Sequence, residues 1–337
     1  MISWLKLTND QRKTIIDSAE QMSGINAKAI EKDWWVTLCL KALFQTKYAD
    51  NILFKGGTSL SKCWKLISRF SEDIDIALDP TVFGMPYQEN PSKGFVDKLK
   101  RTGSTFTSNE FKDELENQLA IIGVPAGILV VESASIKSDM PDTDPQTLFI
   151  KYKSLYESNP YLADEVKIEV GVRSIRLPLE KVSIQSLLNE FNPYPAYSEI
   201  PFEVAAAAPR KTFLEKLFLL HEEFGKPDKS RIRSQRMSRH LYDIYKMIHS
   251  SFAAEALDDK ELYSGLMKHR ERYMRISWVQ YETLAPDKLS FLPPQEVLDE
   301  YRKDYQVMQE QMIHEKAATF DEIIRELAVL QNEIREV

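Results

Sequence analysis

The sequence predicts an α+β fold in three stretches: helices, then a mixed sheet with flanking helices, then a C-terminal helical domain. Three observations carry this. Apolar residues recur at helical spacing up to about residue 50 and again from Lys211 almost to the end. Between those stretches, short runs such as Ile52-Leu53-Phe54 and the strictly alternating segment 73–78 read as strands. Strand-like texture ends near Pro209. The expected division is therefore N-terminal helices over 1–50 packing on a core at 51–208, followed by a helical domain at 209–337.

Element by element, a first helix starts at Thr8, where Thr8 and Gln11 have capping-box spacing. A second follows Asn26 and turns Ile30, Trp34 and Leu38 inward. Gly56-Gly57 reads as a turn between the 52–54 strand and a short helix over 60–67. Segment 79–107, rich in Pro, Gly, Ser and Thr, reads mostly as loop, and 109–121 as helix. Strands are expected at 127–132, 147–153 and 166–172, with weaker ones at 182–188 and 202–207. Helices are expected at 211–223, at 239–249 and within 295–336, where Thr319 and Glu322 repeat the capping-box spacing.

With 337 residues, 43% hydrophobic and 28% charged, the chain has the composition of a globular protein with a full core. A net charge of −7 excludes a uniformly basic nucleic-acid binder. Cys39 and Cys63 have no Cys or His neighbours at zinc-ligand spacing. The N-terminus shows no signal-peptide pattern, and the longest apolar stretch, 119–131, is broken by Gly123, Pro125 and Gly127. A cytoplasmic protein is expected.

Three features point to chemistry. Lys55-Gly56-Gly57-Thr58-Ser59-Leu60 lies between a strand and a helix. Glycines permit close backbone approach, and a helix start offers unpaired N–H groups, so the segment suits a phosphate. It also fits an ordinary strand-to-helix turn. Next, Asp73 and Asp75 alternate with Ile74, Ile76 and Leu78, which puts both carboxylates on one strand face. Two such charges at ~4 Å repel by roughly 4 kcal/mol at an effective dielectric near 20. A divalent cation would turn that repulsion into ligation, and oxygen-only ligands favour Mg²⁺ or Mn²⁺. A solvated strand face fits the same spacing. Finally, Val166-Lys167-Ile168-Glu169-Val170 turns Glu169 away from the core, and it completes a three-carboxylate site if its strand neighbours the first.

In combination these motifs have the order found in DNA polymerase β-like nucleotidyltransferases. Gly56-Gly57-Thr58-Ser59-Leu60-Ser61-Lys62 and Arg69-Phe70-Ser71-Glu72-Asp73-Ile74-Asp75 closely resemble the AbiEii/AbiGii-type toxin nucleotidyltransferases. Leu214-Glu215-Lys216-Leu217 resembles that family's helical lysine motif, and Arg239-His240-Leu241-Tyr242-Asp243 its Arg-Asp-Leu-Tyr-Asp-like box, with His240 in place of an acidic residue. The resemblance implies a polymerase β-like core that uses Mg²⁺ or Mn²⁺ and a nucleoside triphosphate. It also implies transfer of a nucleoside monophosphate to an acceptor, RNA at a tRNA 3′ end above all, within a toxin–antitoxin or phage-defence system with a separately encoded antitoxin. Under it Asp73, Asp75 and Glu169 hold metal. Gly56, Gly57, Thr58, Ser59, Lys62 and Ser71 surround the nucleotide, Lys216 contacts phosphate, and Asp243 orients the lysine or the nucleotide. Transfer to a protein or small molecule, or a non-catalytic partner-binding role on the same fold, are the rivals.

Segment 226–239 carries six cations, Lys226, Lys229, Arg231, Arg233, Arg236 and Arg239, against Asp228 alone. Such a patch on an acidic chain suits a triphosphate or an RNA backbone, with Arg231, Arg233, Arg236 and Arg239 as acceptor contacts. Ser59-Leu60-Ser61-Lys62 also fits the Ser-x-x-Lys pattern, but no Ser-Asp-Asn or Lys-Thr-Gly follows, and there is no Walker A loop. A phosphoryl group on Ser71 would set negative charge beside the carboxylates and is expected to switch transfer off.

Overall fold

The computed structural model describes residues 1–136, 140, 142–157 and 162–336. The N-terminal stretch is helical, with α1 (Ile2–Leu5), α2 (Asn9–Ser23) and α3 (Ala27–Leu43). Thr8 and Gln11 make the reciprocal capping box, and Asn26 caps α3 by accepting from Lys28 N at 3.0 Å. β1 (Ile52–Lys55) runs directly into α4 (Gly56–Lys62), so the two glycines begin the helix rather than precede it. β2 (Ile74–Leu78) follows, then α5 (Lys93–Phe106), a π turn at Thr107–Phe111 and α6 (Lys112–Ile121). The remaining strands are β3 (Leu129–Ser133), β4 (Gln146–Tyr152), β5 (Glu165–Gly171), β6 (Leu179–Ile184) and β7 (Phe202–Ala207), with α7 (Leu187–Phe191) between the last two.

All these strands join one mixed sheet in the order β3-β4-β5-β2-β1-β7-β6. β1 with β7 and β2 with β5 pair in parallel, and the other neighbours are antiparallel. The sheet's apolar face is dry: Ile74, Ile76, Ile168, Leu148 and Phe54 have no exposed surface.

α5 overturns the loop expected over 79–107. Ser92 caps it by accepting from Phe95 N at 3.1 Å, and Val96, Leu99, Gly103 and Phe106 fill one buried face. Small residues there serve close packing: a Cβ on Gly103 would lie 2.7 Å from Val172. The inward face expected for α3 is also too narrow. Glu31, Lys32 and Asp33 are as hidden as Trp34 and Leu38, because each charge meets a partner.

By their internal contacts the described residues form two units, Met1–Cys63 with Phe70–Ala207, and Trp64–Arg69 with Ala208–Val337. The N-terminal helices thus belong to the same unit as the sheet. The second unit is helical, with α8 (Pro209–Phe224), α9 (Ser238–Ile248), α10 (Ser251–Asp258), α11 (Lys260–His269), α12 (Leu298–Gln311) and α13 (Phe320–Glu336). Pro209 opens α8, where its missing N–H costs nothing, and Thr319 and Glu322 form the capping box before α13. Leu214, Leu217 and Phe218 of α8 and Ile244 and Met247 of α9 are fully buried.

His221 on α8 is 9% exposed; its Nδ1 accepts from Ser290 N at 3.0 Å and its Nε2 lies 2.8 Å from Thr283 Oγ1. Burial pushes its pKa down from 6.5 to about 4, and burial lowers His314 as well. A lowered folded-state pKa stabilises above the unfolded value and loses that stability as pH falls toward the folded one. The thermal midpoint should therefore drop between pH 6.5 and about 4, less steeply in His221→Gln. Parallel melting-versus-pH curves for the two proteins would refute this.

Candidate active site

Strand register builds the site. β1 sets Lys55 beside Asp75, β5 sets Glu169 beside Asp75, and β4 sets Thr147 beside Glu169. Registered neighbours share a face, so a cation, two carboxylates and a hydroxyl form one row across four adjacent strands. The strand of Glu169 does neighbour that of Asp75. Asp73 lies one residue before β2, at the end of its irregular approach.

α4 closes against this row. Gly56 has φ +77°, and a Cβ there would sit 2.1 Å from Asp75 Oδ2. Glycine is required twice, for backbone conformation and for room. No side-chain bond from Lys55 caps α4. Thr58 is 1% exposed; its hydroxyl donates to the Asp73 carbonyl at 2.5 Å and lies 2.9 Å from Ser71 Oγ. Thr58 and Ser71 thus clasp the approach to β2. Ser59 is 2% exposed, and its hydroxyl has no hydrogen-bond partner among the described residues. Lys62, expected near the nucleotide, is buried in an ion pair with Asp33 at 2.6 Å.

The carboxylates are electrostatically unequal. Burial raises Asp75 to about 6; Lys55 opposes this, while Glu169 and Asp73 add to it. Burial would raise Glu169 too, but Lys167 on the same strand face holds it below the usual range. Asp75 and Glu169 hydrogen-bond each other, Asp75 being the one that keeps a proton more readily. An oxygen-only donor set that retains a proton suits a hard divalent cation, which would displace it. Asp73, Asp75 and Glu169 are the residues expected to hold such an ion; among the described residues no three acids, histidines or cysteines are drawn into a ready ligand set.

In the second unit a different cluster forms. Asp243, with no exposed surface, accepts from Arg69 Nε at 2.7 Å and from its terminal nitrogen at 2.8 Å, and pairs with Lys216 Nζ at 2.8 Å. Burial alone would raise Asp243; Arg69 and Lys216 hold it far below the carboxylate range. Burial lowers the Lys216 ammonium, against Asp243 and with Arg69. Lys216 Nζ lies 3.4 Å from His240 Nδ1, and burial together with Lys216 and Arg239 pushes His240 well below its ordinary value. A neutral His240 supplies a ring nitrogen as acceptor at the position where an acid was expected. Arg69 and Lys55 were missed as site residues. Each opens one of the quoted motifs, but an arginine or lysine in a sequence carries no sign of which acid it will meet.

The basic segment is largely folded on itself. Arg233 makes two side-chain bonds to Glu223 at 3.0 and 2.8 Å, Lys226 also pairs with Glu223, and Lys229 donates to Phe224 O at 2.6 Å. These cations secure the C-terminus of α8, where its dipole is negative. Arg236 N donates to Asp304 Oδ1 at 2.5 Å, Arg239 is half-buried, and Arg231 is exposed. Arg233 is exposed too, although paired, so the patch offers fewer unengaged charges than its count suggested.

Two outcomes follow from this geometry. Gly56→Ala should lower the thermal midpoint by several degrees, and Asp75→Ala in the same chain should recover part of the loss because the clash is with Asp75; independent losses would contradict the contact. Asp243→Ala should cost about 3–5 kcal/mol in denaturant melts, since it leaves Arg69 and Lys216 buried without their counter-charge. A loss below about 1 kcal/mol would show that the cluster is not structural.

No curated protein matches the chain. The solved structure of MenT4, a nucleotidyltransferase toxin from Mycobacterium tuberculosis H37Rv, is similar over 96% of this chain and 99% of that one, at 18% identity and a TM-score of 0.45. A family model described as the nucleotidyl transferase AbiEii toxin of type IV toxin–antitoxin systems matches residues 38–326. That span includes the carboxylate row, the Gly-Gly-Thr helix and the Lys216–Asp243 cluster, and the chain belongs to the AbiEii family of nucleotidyltransferase toxins.

Proposed function

We propose that this nucleotidyltransferase moves a nucleoside monophosphate from a nucleoside triphosphate to an RNA acceptor, a tRNA 3′ end being the first candidate, with Mg²⁺ or Mn²⁺ as cofactor and a separately encoded antitoxin as its counterpart. The observation that carries the reading is the register of Asp75 with Glu169 beneath the side-chain-free Gly56. Asp73, Asp75 and Glu169 hold the cation, which when bound supplies charge neutralisation at the transferring and leaving phosphates. The opening turn of α4, with Gly56, Gly57 and Thr58, receives the triphosphate through backbone N–H groups. Asp75, raised to about 6, is the better base for the acceptor hydroxyl near neutral pH; Glu169, held low by Lys167, is the poorer one and serves as a ligand. Within the second unit Asp243 fixes the direction of Lys216, the lysine of the family's helical motif. RNA is supported by the exposed Arg231 and by the family, less by the rest of the basic segment.

The decisive experiment is incubation of the full chain with each α-labelled nucleotide plus total RNA and protein, with and without Mg²⁺. Label in RNA that requires Mg²⁺ supports the reading, and label confined to protein moves the acceptor assignment there. Asp75→Asn should reduce transfer at least a thousandfold while leaving the thermal midpoint equal or higher, because it removes a charge crowded by Glu169 and Asp73. Retained turnover would refute its role. Glu169→Ala should lose somewhat less. Arg231→Ala should flatten the log–log salt dependence of RNA binding by about one unit and leave nucleotide KM unchanged.

A further inference from the structure

The charged side chains of α3 from Lys28 to Asp33 lie inside the first unit, and two consecutive ones meet the two halves of the carboxylate site. Lys32 Nζ lies 2.7 Å from Glu72 Oε2 and donates to Ala163 O at 2.9 Å. Asp33 Oδ1 accepts from Lys62 Nζ at 2.6 Å, and its Oδ2 accepts from Leu187 N at 2.7 Å. Side-chain exposures are 3% and 7% in the first ion pair and 6% and 5% for Asp33 and Lys62. Glu72 immediately precedes Asp73. Lys62 ends α4, whose first residue abuts Asp75.

Neither half has much structure of its own. α4 has seven residues, too few to be stable alone, and the approach to β2 is irregular. They meet through Thr58 at 2.5 Å, and each is tied separately to the 17-residue α3. A buried ion pair adds little net stability over a well-packed apolar pair, so stability alone does not account for two adjacent ones. Fixed geometry does.

We propose that Lys32 and Asp33 are positioning residues for nucleotidyl transfer: through Glu72 and Lys62 they set the Asp73–Asp75 segment against the Gly-Gly-Thr helix. The inference rests on the assignment of Asp73, Asp75 and Gly56 to the catalytic site.

The test uses the full chain with the paired apolar replacements Lys32→Met/Glu72→Leu and Asp33→Leu/Lys62→Met, which leave no buried charge unpaired, beside the singles Asp33→Asn and Lys62→Met. Thermal midpoint, kcat, nucleotide KM and amide hydrogen exchange are measured. The expected result is a midpoint within a few degrees of wild type, kcat down about ten- to a hundredfold, KM within about twofold, and faster exchange at 56–62 and 72–76 than at β7. Each single at Asp33 or Lys62 should lose about as much as their double, as partners in one contact do. Unchanged kcat with unchanged exchange would overturn the proposal and leave the pairs merely structural. A raised KM in Lys62→Met with a harmless Asp33→Asn would also overturn it, by making Lys62 a nucleotide contact. Full transfer by Asp75→Asn would instead remove the site assignment, and the exchange measurement would still decide whether α3 holds the two segments together.

Discussion

Two carboxylates, Asp75 and Glu169, are forced side by side by in-register pairing of β2 with β5, and the first unit is arranged around that contact. The repulsion is tolerated because Ile74, Ile76, Ile168 and Val170 anchor the same two strands on the dry face. Lys55 and Lys167 flank the pair and divide its protonation unequally. Gly56 leaves the space a side chain would deny Asp75. Parallel pairing also requires a long crossover, here α5, α6, β3 and β4, so the site cannot assemble from local contacts. A site built from short segments needs bracing, and the ion pairs from α3 supply it.

The second unit solves the opposite problem. Asp243 is a single buried acid shared by Arg69 and Lys216, so positive charge is in excess where the sheet has an excess of negative charge. His240 remains neutral beside Lys216 and adds no further charge. Orientation of Lys216 is thereby set by residues distant in sequence, and loss of Asp243 would strike stability first. Activity of such variants has meaning only per folded molecule.

Much of this was legible in the residues alone. The alternation at 73–78 and 166–170 assigned the correct faces, and both capping boxes marked their helix starts, because strand period and cap chemistry are local properties. The glycine pair between a strand and a helix marked the close approach, although its target, Asp75, was not visible. α5 was not legible, since small and hydroxyl residues read as loop until a neighbouring strand requires close packing.

What the sequence by itself determined was the kind of chemistry: acids at strand spacing, a glycine-rich helix start and the family those motifs belong to. The tertiary structure decided which charges meet. Lys62 went to Asp33, Arg233 to Glu223, and Arg69 to Asp243. Period and spacing are written within a few residues, whereas an ion pair between residues ten to more than a hundred positions apart depends on burial and on the path of the chain between them. Coulomb attraction then selects the partner only after the fold has brought it near.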